Sequence, residues 1–171
     1  MTSAPTSSPK GSAGRCCVNA GAIPQELRDL PQWVTWRKIH RDGNPKPTKL
    51  PINPTTGLAA STTDHTTWVR FGEALASHHL GQGDGIGFVF TPQDPFTGID
   101  LDECYDEAGH LVGWAEDIIA RLGSYTEFSP SGRGVHLVIR GQLPGKGRRK
   151  GSIEMYSEGR FFTMTGAQMD G

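Results

Sequence analysis

Apolar residues change their spacing several times along the chain, and each change marks an expected element. Gly85-Ile86-Gly87-Phe88-Val89-Phe90 is a short, nearly continuous apolar run, the pattern of a buried strand. Phe96 to Cys104 alternates instead: Ile99 and Leu101 take one side, and Asp100 and Asp102 the other. Val135, Leu137 and Ile139 alternate with His136, Val138 and Arg140, and Ile153 and Met155 alternate with Glu154 and Tyr156. A last strand is expected near 160–165, and an early one at Trp33–Arg37. Helical spacing occurs twice. Leu111, Trp114, Ala115, Ile118, Ile119 and Leu122 form one stripe that Gly123 ends. Thr67 to about Ser77 carries Trp68, Phe71 and Leu75 on another, with Asp64, Thr66 or Thr67 as its cap. Pro24 to Leu30 reads as a short helix with its proline in the first turn. Prolines at 45, 47 and 51 predict that 42–51 is an extended loop outside regular ladders. The four tryptophans, Trp33, Trp36, Trp68 and Trp114, read as core. More strands than helices, with short links among the last three strands, predict an α+β fold: a mostly antiparallel sheet with helices packed on one side.

Composition sharpens this picture at the N-terminus. Residues 1–22 are rich in Ser, Thr, Ala, Pro and Gly and read as a flexible tail, leaving 23–171 as one domain. Three cysteines with no paired metal spacing exclude a disulfide framework and a zinc ribbon, and point to the reducing cytoplasm. No apolar run approaches the length of a membrane span, and the N-terminus has no apolar signal core.

Charge adds more. The formal net charge is −1, too acidic for a protein that only tracks nucleic-acid backbone. The distribution is uneven, however. Asp94, Asp100, Asp102, Glu103, Asp106 and Glu107 fall in one stretch without a base. From Arg133 to Arg160 seven basic residues face only Glu154 and Glu158. An acidic floor beside a basic rim suits metal, triphosphate and DNA.

Three short stretches supply the chemistry. Asp100 and Asp102 on one strand face repel each other unless a cation lies between them, and carboxylate oxygens suit Mg2+ or Mn2+. Read alone, the pair is a weak signal and is better taken as an exposed strand end that carries two acids. Thr126 to Gly134 is a turn-rich loop in which Gly132 and Gly134 permit positive φ, so successive amides can form an anion nest just before His136. Ser131 and Arg133 lie in that loop as phosphate contacts. Glu154 offers a third carboxylate or is a surface glutamate on an edge strand. Lys49, on its own reading, is a solvated loop lysine. Arg160 opens a strand after Gly159 and is read as a phosphate contact. Lys146 to Lys150 reads as a hairpin tip, with Arg148, Arg149 and Lys150 either following DNA backbone or forming a solvated turn.

The order Asp100-Leu101-Asp102, Ser131 to His136, Glu154-Met155-Tyr156 and Gly159-Arg160-Phe161-Phe162-Thr163-Met164-Thr165-Gly166 resembles the archaeo-eukaryotic primase superfamily. It is most similar to the primase-polymerase domains of phage and plasmid replication proteins, over about Leu30 to Gly166. The resemblance implies a recognition-motif-like catalytic core and template-directed nucleotidyl transfer by two-metal catalysis. Asp100, Asp102 and Glu154 would bind catalytic Mg2+ or Mn2+. His136 would contact the phosphates of an incoming dNTP or NTP beside Ser131 and Arg133. Lys49 would instead lie near nucleotide or template. DNA template and primer would be partners, and a longer replication protein carrying a helicase or priming-accessory region would contain this domain. The family's third acid is often Asp, where this chain has Glu154. A two-metal nuclease and a non-catalytic origin-binding domain remain as alternatives on the same residues. A sugar-nucleotide transferase is disfavoured, since no nucleotide-binding βαβ pattern is evident.

Overall fold

In this computed structural model, which describes residues 15–41, 43, 47–145 and 147–169, the strands outnumber the helices. The strands are β1 (Trp33–Ile39), β2 (Thr48–Ile52), β3 (Gly85–Phe90), β4 (Phe96–Leu101), β5 (Tyr125–Phe128), β6 (Val135–Arg140), β7 (Gly147–Lys150), β8 (Ile153–Tyr156) and β9 (Arg160–Met164). The helices are α1 (Gln25–Arg28), α2 (Phe71–His79) and α3 (Gly113–Leu122). The α+β class and the antiparallel pairing hold. The expected single sheet is divided, however. Strands in the order β2-β1-β3-β9 form a first sheet and β5-β6-β4-β8-β7 a second. After β8 the chain leaves the second sheet, and β9 pairs with β3, with Phe162 opposite Phe88.

Helices are likewise shared out instead of lying on one side. Phe71 of α2 meets Trp33 edge-on at 4.9 Å, and Ala74 joins the same core as Ile86 and Phe88. That core extends to Phe96 and Val138 of the second sheet, so it binds the two sheets together. On the opposite side of the second sheet, Ile99, Leu101, Val135 and Leu137 pack with Ala115, Ile118 and Ile119 of α3. The alternation in β4, β6 and β8 therefore has a clear cause. One set of positions faces α3, and the other faces the first sheet.

Several boundaries differ from the sequence-based expectation. Residues 65–67 form a 3-10 turn capped by Asp64, whose carboxylate accepts the Thr66 amide at 3.0 Å. Val69 then pairs with Trp33, which holds 68–70 extended and delays α2 until Phe71. α3 begins at Gly113 because Leu111 bridges to Tyr105 and the Val112 amide donates to the Cys104 carbonyl. Gly123 ends it at φ 50°. Part of the proline-rich loop is strand β2, with Pro51 opposite Trp36. β2 is an edge strand, where a residue without an N–H is tolerated; residues 42 and 44–46 lie outside the described residues. The basic cluster is also a strand, β7, on the edge of the second sheet, not a hairpin tip; Lys146 lies outside the described residues.

The expected tail needs the largest revision. Residues 1–14 lie outside the described residues, but 15–22 are placed against the fold. The Cys16 amide donates to the Asp84 carbonyl at 2.7 Å and the Asn19 amide to Thr165 at 2.8 Å. Residues 20–22 form a 3-10 turn. Gly166 makes this docking possible: its φ is 66°, and a Cβ there would overlap the Asn19 carbonyl. Gly166→Ala is therefore expected to lower stability by more than the ~1–2 kcal/mol of left-handed strain alone, because the 15–22 segment must also move. Thermal melting of the purified variant measures this; an unchanged midpoint would show that the segment is not held there.

Candidate active site

A single row of residues crosses the whole second sheet. Glu127, His136, Asp100, Glu154 and Arg149 are successive cross-strand partners on β5, β6, β4, β8 and β7. Cross-strand partners stand on the same face with their Cβ atoms close together. Three acids, a histidine and an arginine are thus lined up by register alone.

Asp100 sits at the centre of the row. Its Oδ1 lies 3.8 Å from His136 Nε2. Burial pushes its carboxyl above the ordinary Asp value; the nearby His136 charge opposes this, while Asp102 and Glu154 add to it and Lys49 opposes it. His136 is buried, and its Nδ1 donates to the Thr163 carbonyl at 3.0 Å. That bond fixes the ring on β9 and leaves Nε2 toward Asp100. Glu154 is held at both oxygens: Arg149 Nη1 lies 3.1 Å from Oε1, and the Tyr156 hydroxyl donates to Oε2 at 2.7 Å. The Tyr156 ring carries the Arg160 guanidinium over its face at 4.9 Å. Lys49 Nζ stands 5.6 Å from the Trp36 ring centre, and burial lowers the pKa of its amine.

These side chains close around a cavity of about 210 Å³ at the seam of the two sheets. Asp100, His136, Glu154 and Tyr156 line it from the second sheet; Lys49, Arg160 and Phe161–Thr163 line it from the first. Of the residues named from sequence, the structure brings together Lys49, Asp100, His136, Glu154 and Arg160.

The others stand apart from that lining. Asp102 lies one residue beyond β4, exposed in a turn, with its amide donating to the Ser152 carbonyl at 2.8 Å. The expected strand alternation thus stops at Leu101, although Asp102 still acts on Asp100 through its charge. Ser131 is spent within its own loop: its hydroxyl pairs with Ser129 at 2.8 Å and accepts the Arg133 amide. Arg133 is an exposed ion-pair partner of Glu103 at 3.1 Å. Gly132 takes the expected left-handed φ of 73°, but Gly134 does not. Gly134 is small for another reason: a Cβ there would lie 2.5 Å from the Leu101 carbonyl oxygen of β4. Arg148 and Arg149 line a second, more open groove of about 520 Å³ with Thr63, Tyr156 and Arg160; Lys150 is exposed beside it.

Glu127 was hidden in what reads as a loop. It is fully buried, and its carboxylate accepts the Thr165 amide at 3.0 Å, the Gly166 amide at 2.8 Å and the Tyr125 hydroxyl at 2.7 Å. Its Oε1 also lies 3.7 Å from His136 Nδ1. The available signal was the Tyr-Thr-Glu-Phe run before Pro130, since a hairpin closed over 129–134 sets 127 opposite 136.

The donors fit a hard divalent cation in kind: carboxylate oxygens crowded beside one another, with Asp100 carrying uncompensated repulsion. Among the described residues, no three His, Cys, Asp or Glu side chains converge into a metal-holding group. Mg2+ is usually held by one or two carboxylates plus water and phosphate oxygens instead of an all-protein cage, so this open arrangement is compatible with it. Among the described residues, no helix is long and apolar enough to cross a membrane.

No family model matches the chain. Over 147 residues it is 42% identical to the DNA Primase-polymerase of Nitratiruptor phage NrS-1, a stretch that takes in 82% of this chain and 20% of that protein. The chain thus spans about a fifth of the length of this curated relative.

Two outcomes are expected. Glu127→Ala strands two backbone amides and a tyrosine hydroxyl, so urea unfolding should show a loss of about 1–3 kcal/mol for each donor that stays buried and unpaired; a near-neutral variant would show that water replaces the carboxylate. Asp100→Asn should do the opposite at neutral pH. Folding raises the Asp100 pKa, so the folded chain holds this proton more tightly than the unfolded one. Stability is therefore lost progressively as pH rises from the ordinary Asp range through the raised value. In chelator-containing buffer, Asp100→Asn should be more stable than wild type at neutral pH, and the gain should vanish below the ordinary Asp range. A gain independent of pH would contradict a charge-burial cause.

Proposed function

We propose that this chain carries the nucleotidyl-transfer site of a DNA primase and/or DNA polymerase, acting in replication of a phage, plasmid or other mobile element in the cytoplasm. One observation carries the reading: a row of acids and a histidine opens into the same cavity as two cations, Lys49 and Arg160. The 42% identity to a phage DNA Primase-polymerase supports it. In this reading the substrates are a DNA template and primer with a dNTP or NTP, and the domain works beside a helicase region in a longer chain.

Asp100 and Glu154 would hold Mg2+ or Mn2+ at the cavity, and Asp102 would join them only if its turn moves inward. Metal bound there would supply activation of the primer 3′-hydroxyl and neutralisation of charge on the reacting phosphates, as two-metal catalysis requires. Binding a cation there relieves the repulsion that Asp100 feels from Asp102 and Glu154. His136, which donates through Nδ1–H to Thr163, would meet a phosphate oxygen through Nε2–H as imidazolium. Lys49 and Arg160 counter the remaining triphosphate charge from the facing sheet. Arg160 is oriented by its stack on Tyr156. Phe161 and Phe162 add apolar wall to the cavity. Ser131 and Arg133 act only if their loop turns inward on the nucleotide. Arg148, Arg149 and Lys150 follow the DNA backbone along the edge of the second sheet. Two cations in the cavity favour transfer from a triphosphate over a nuclease, which needs no triphosphate contact.

Primer extension on a primed single-stranded template, with dNTPs or NTPs in Mg2+ or Mn2+, tests this reading. Wild type should extend the primer, and Asp100→Ala/Asp102→Ala should abolish extension while remaining folded. Extension by the double variant at wild-type rate would remove the reading, as would shortening of the DNA without triphosphate.

A further inference from the structure

Beyond the basic groove lies a cavity that the nucleotidyl-transfer chemistry does not use. It measures about 590 Å³ and is lined by Gln32, Trp68, His65, Gln93 and Thr63, among others. Thr63 also borders the basic groove, and that groove in turn shares Tyr156 and Arg160 with the catalytic cavity. Three concavities therefore adjoin in sequence: acidic at one end, arginine-lined in the middle, aromatic and amide-rich at the other.

Trp68 stands outside both hydrophobic cores, half-buried, although the sequence reads it as core. Its indole N–H donates to the Ser61 carbonyl at 2.5 Å, which locks the ring in place. Gln32 is 8% exposed. Its amide nitrogen donates to the Val89 carbonyl at 2.7 Å and to the Asp94 carboxylate at 2.8 Å. Asp94 is itself held by the Thr91 and Phe96 amides. With both amide protons used, Gln32 offers the cavity its carbonyl oxygen, for which the described residues supply no donor. A rigid aromatic face beside an unused acceptor matches a nucleobase, which has a π-face and an N–H edge. Arg148, Arg149 and Arg160 next door match the phosphates that would lead to it.

We propose that this cavity captures an unstacked base of a single-stranded DNA template, whose backbone crosses the arginine groove on its way to the catalytic cavity. Trp68 supplies the stacking surface and Gln32 accepts a base N–H. Naming the strand as template rests on the nucleotidyl-transfer reading; the capture of single-stranded nucleic acid does not.

The test uses fluorescein-labelled oligothymidylates of roughly 4 and roughly 16 nucleotides, the range of site sizes known for single-strand binders, in anisotropy titrations without turnover. Trp68→Ala should weaken binding of the longer oligonucleotide by about tenfold, within the range for losing one base–aromatic stack. Binding of the shorter one should change less, and Trp68→Phe should recover most of the loss. Photo-crosslinking of wild type to an iodouracil-substituted oligonucleotide, mapped by mass spectrometry, should label Trp68; this arm does not depend on a variant folding. Equal binding by Trp68→Ala and wild type, crosslinks that avoid Trp68, or no binding of DNA by wild type would each overturn the proposal. Trp68 crosslinking in a chain that extends no primer would leave base capture standing and remove the catalytic reading. Extension that is normal in wild type and indifferent to Trp68 would do the reverse.

Discussion

The two sheets are tied together at the site by one buried carboxylate. Glu127 belongs to β5 in the second sheet, yet it accepts the amides of Thr165 and Gly166, just beyond β9 in the first. His136, its neighbour across the ladder, donates to Thr163 of β9. Two adjacent residues of one sheet thus grip the end of a strand in the other. The cavity that Asp100 lines lies at this seam, with walls from both sheets. The grip adds to the shared core in setting the cations of the first sheet against the acids of the second. The same end of β9 also receives the N-terminal segment through Asn19, so three parts of the chain converge on Thr163 to Gly166.

Charge is arranged across the sheet with similar economy. Antiparallel pairing repeats neighbours at a fixed spacing, and placing one polar residue per strand in register produces a line of five ionisable groups without any loop having to supply them. The ends of the line are neutralised within the protein: Glu127 by backbone amides, and Glu154 by Arg149 and Tyr156. The middle is not, and Asp100 is the group whose burial is least compensated. Functional sites commonly keep such an unfavourable group at the position where a ligand will meet it.

Much of this was legible in the sequence where the period was two. The alternation through 99–101, 135–140 and 153–156 located three adjacent strands and the face that carries Asp100, His136 and Glu154. Other features lay beyond what a period of two reveals. Asp102 falls outside its strand because the chain turns after Leu101, with Glu103 at φ 49°. Ser131 is absorbed by its neighbour Ser129, a local pairing that a motif does not reveal. The division into two sheets depends on β9 finding β3, about seventy residues earlier in the chain, and nothing in the 160–164 run names that partner. Glu127 escaped notice because four residues are too few to show a period, and Pro130 and Gly132 nearby suggested a loop. Pro51 escaped for the converse reason: a proline argues against a strand in general but not against an outermost one.

β7 has a second consequence, quite apart from any ligand. Among the described residues it has a neighbour on one side only, which leaves a row of open backbone groups at the rim of the second sheet. Such a rim invites another chain to add to it, and consecutive charges are a recognised way of preventing that. Arg148, Arg149 and Lys150 sit on this rim and are exposed. Like charges on such a rim oppose edge-to-edge pairing of two copies. A polyanion that covered them would cancel that opposition, so guarding the rim and meeting an acidic partner would draw on the same three side chains.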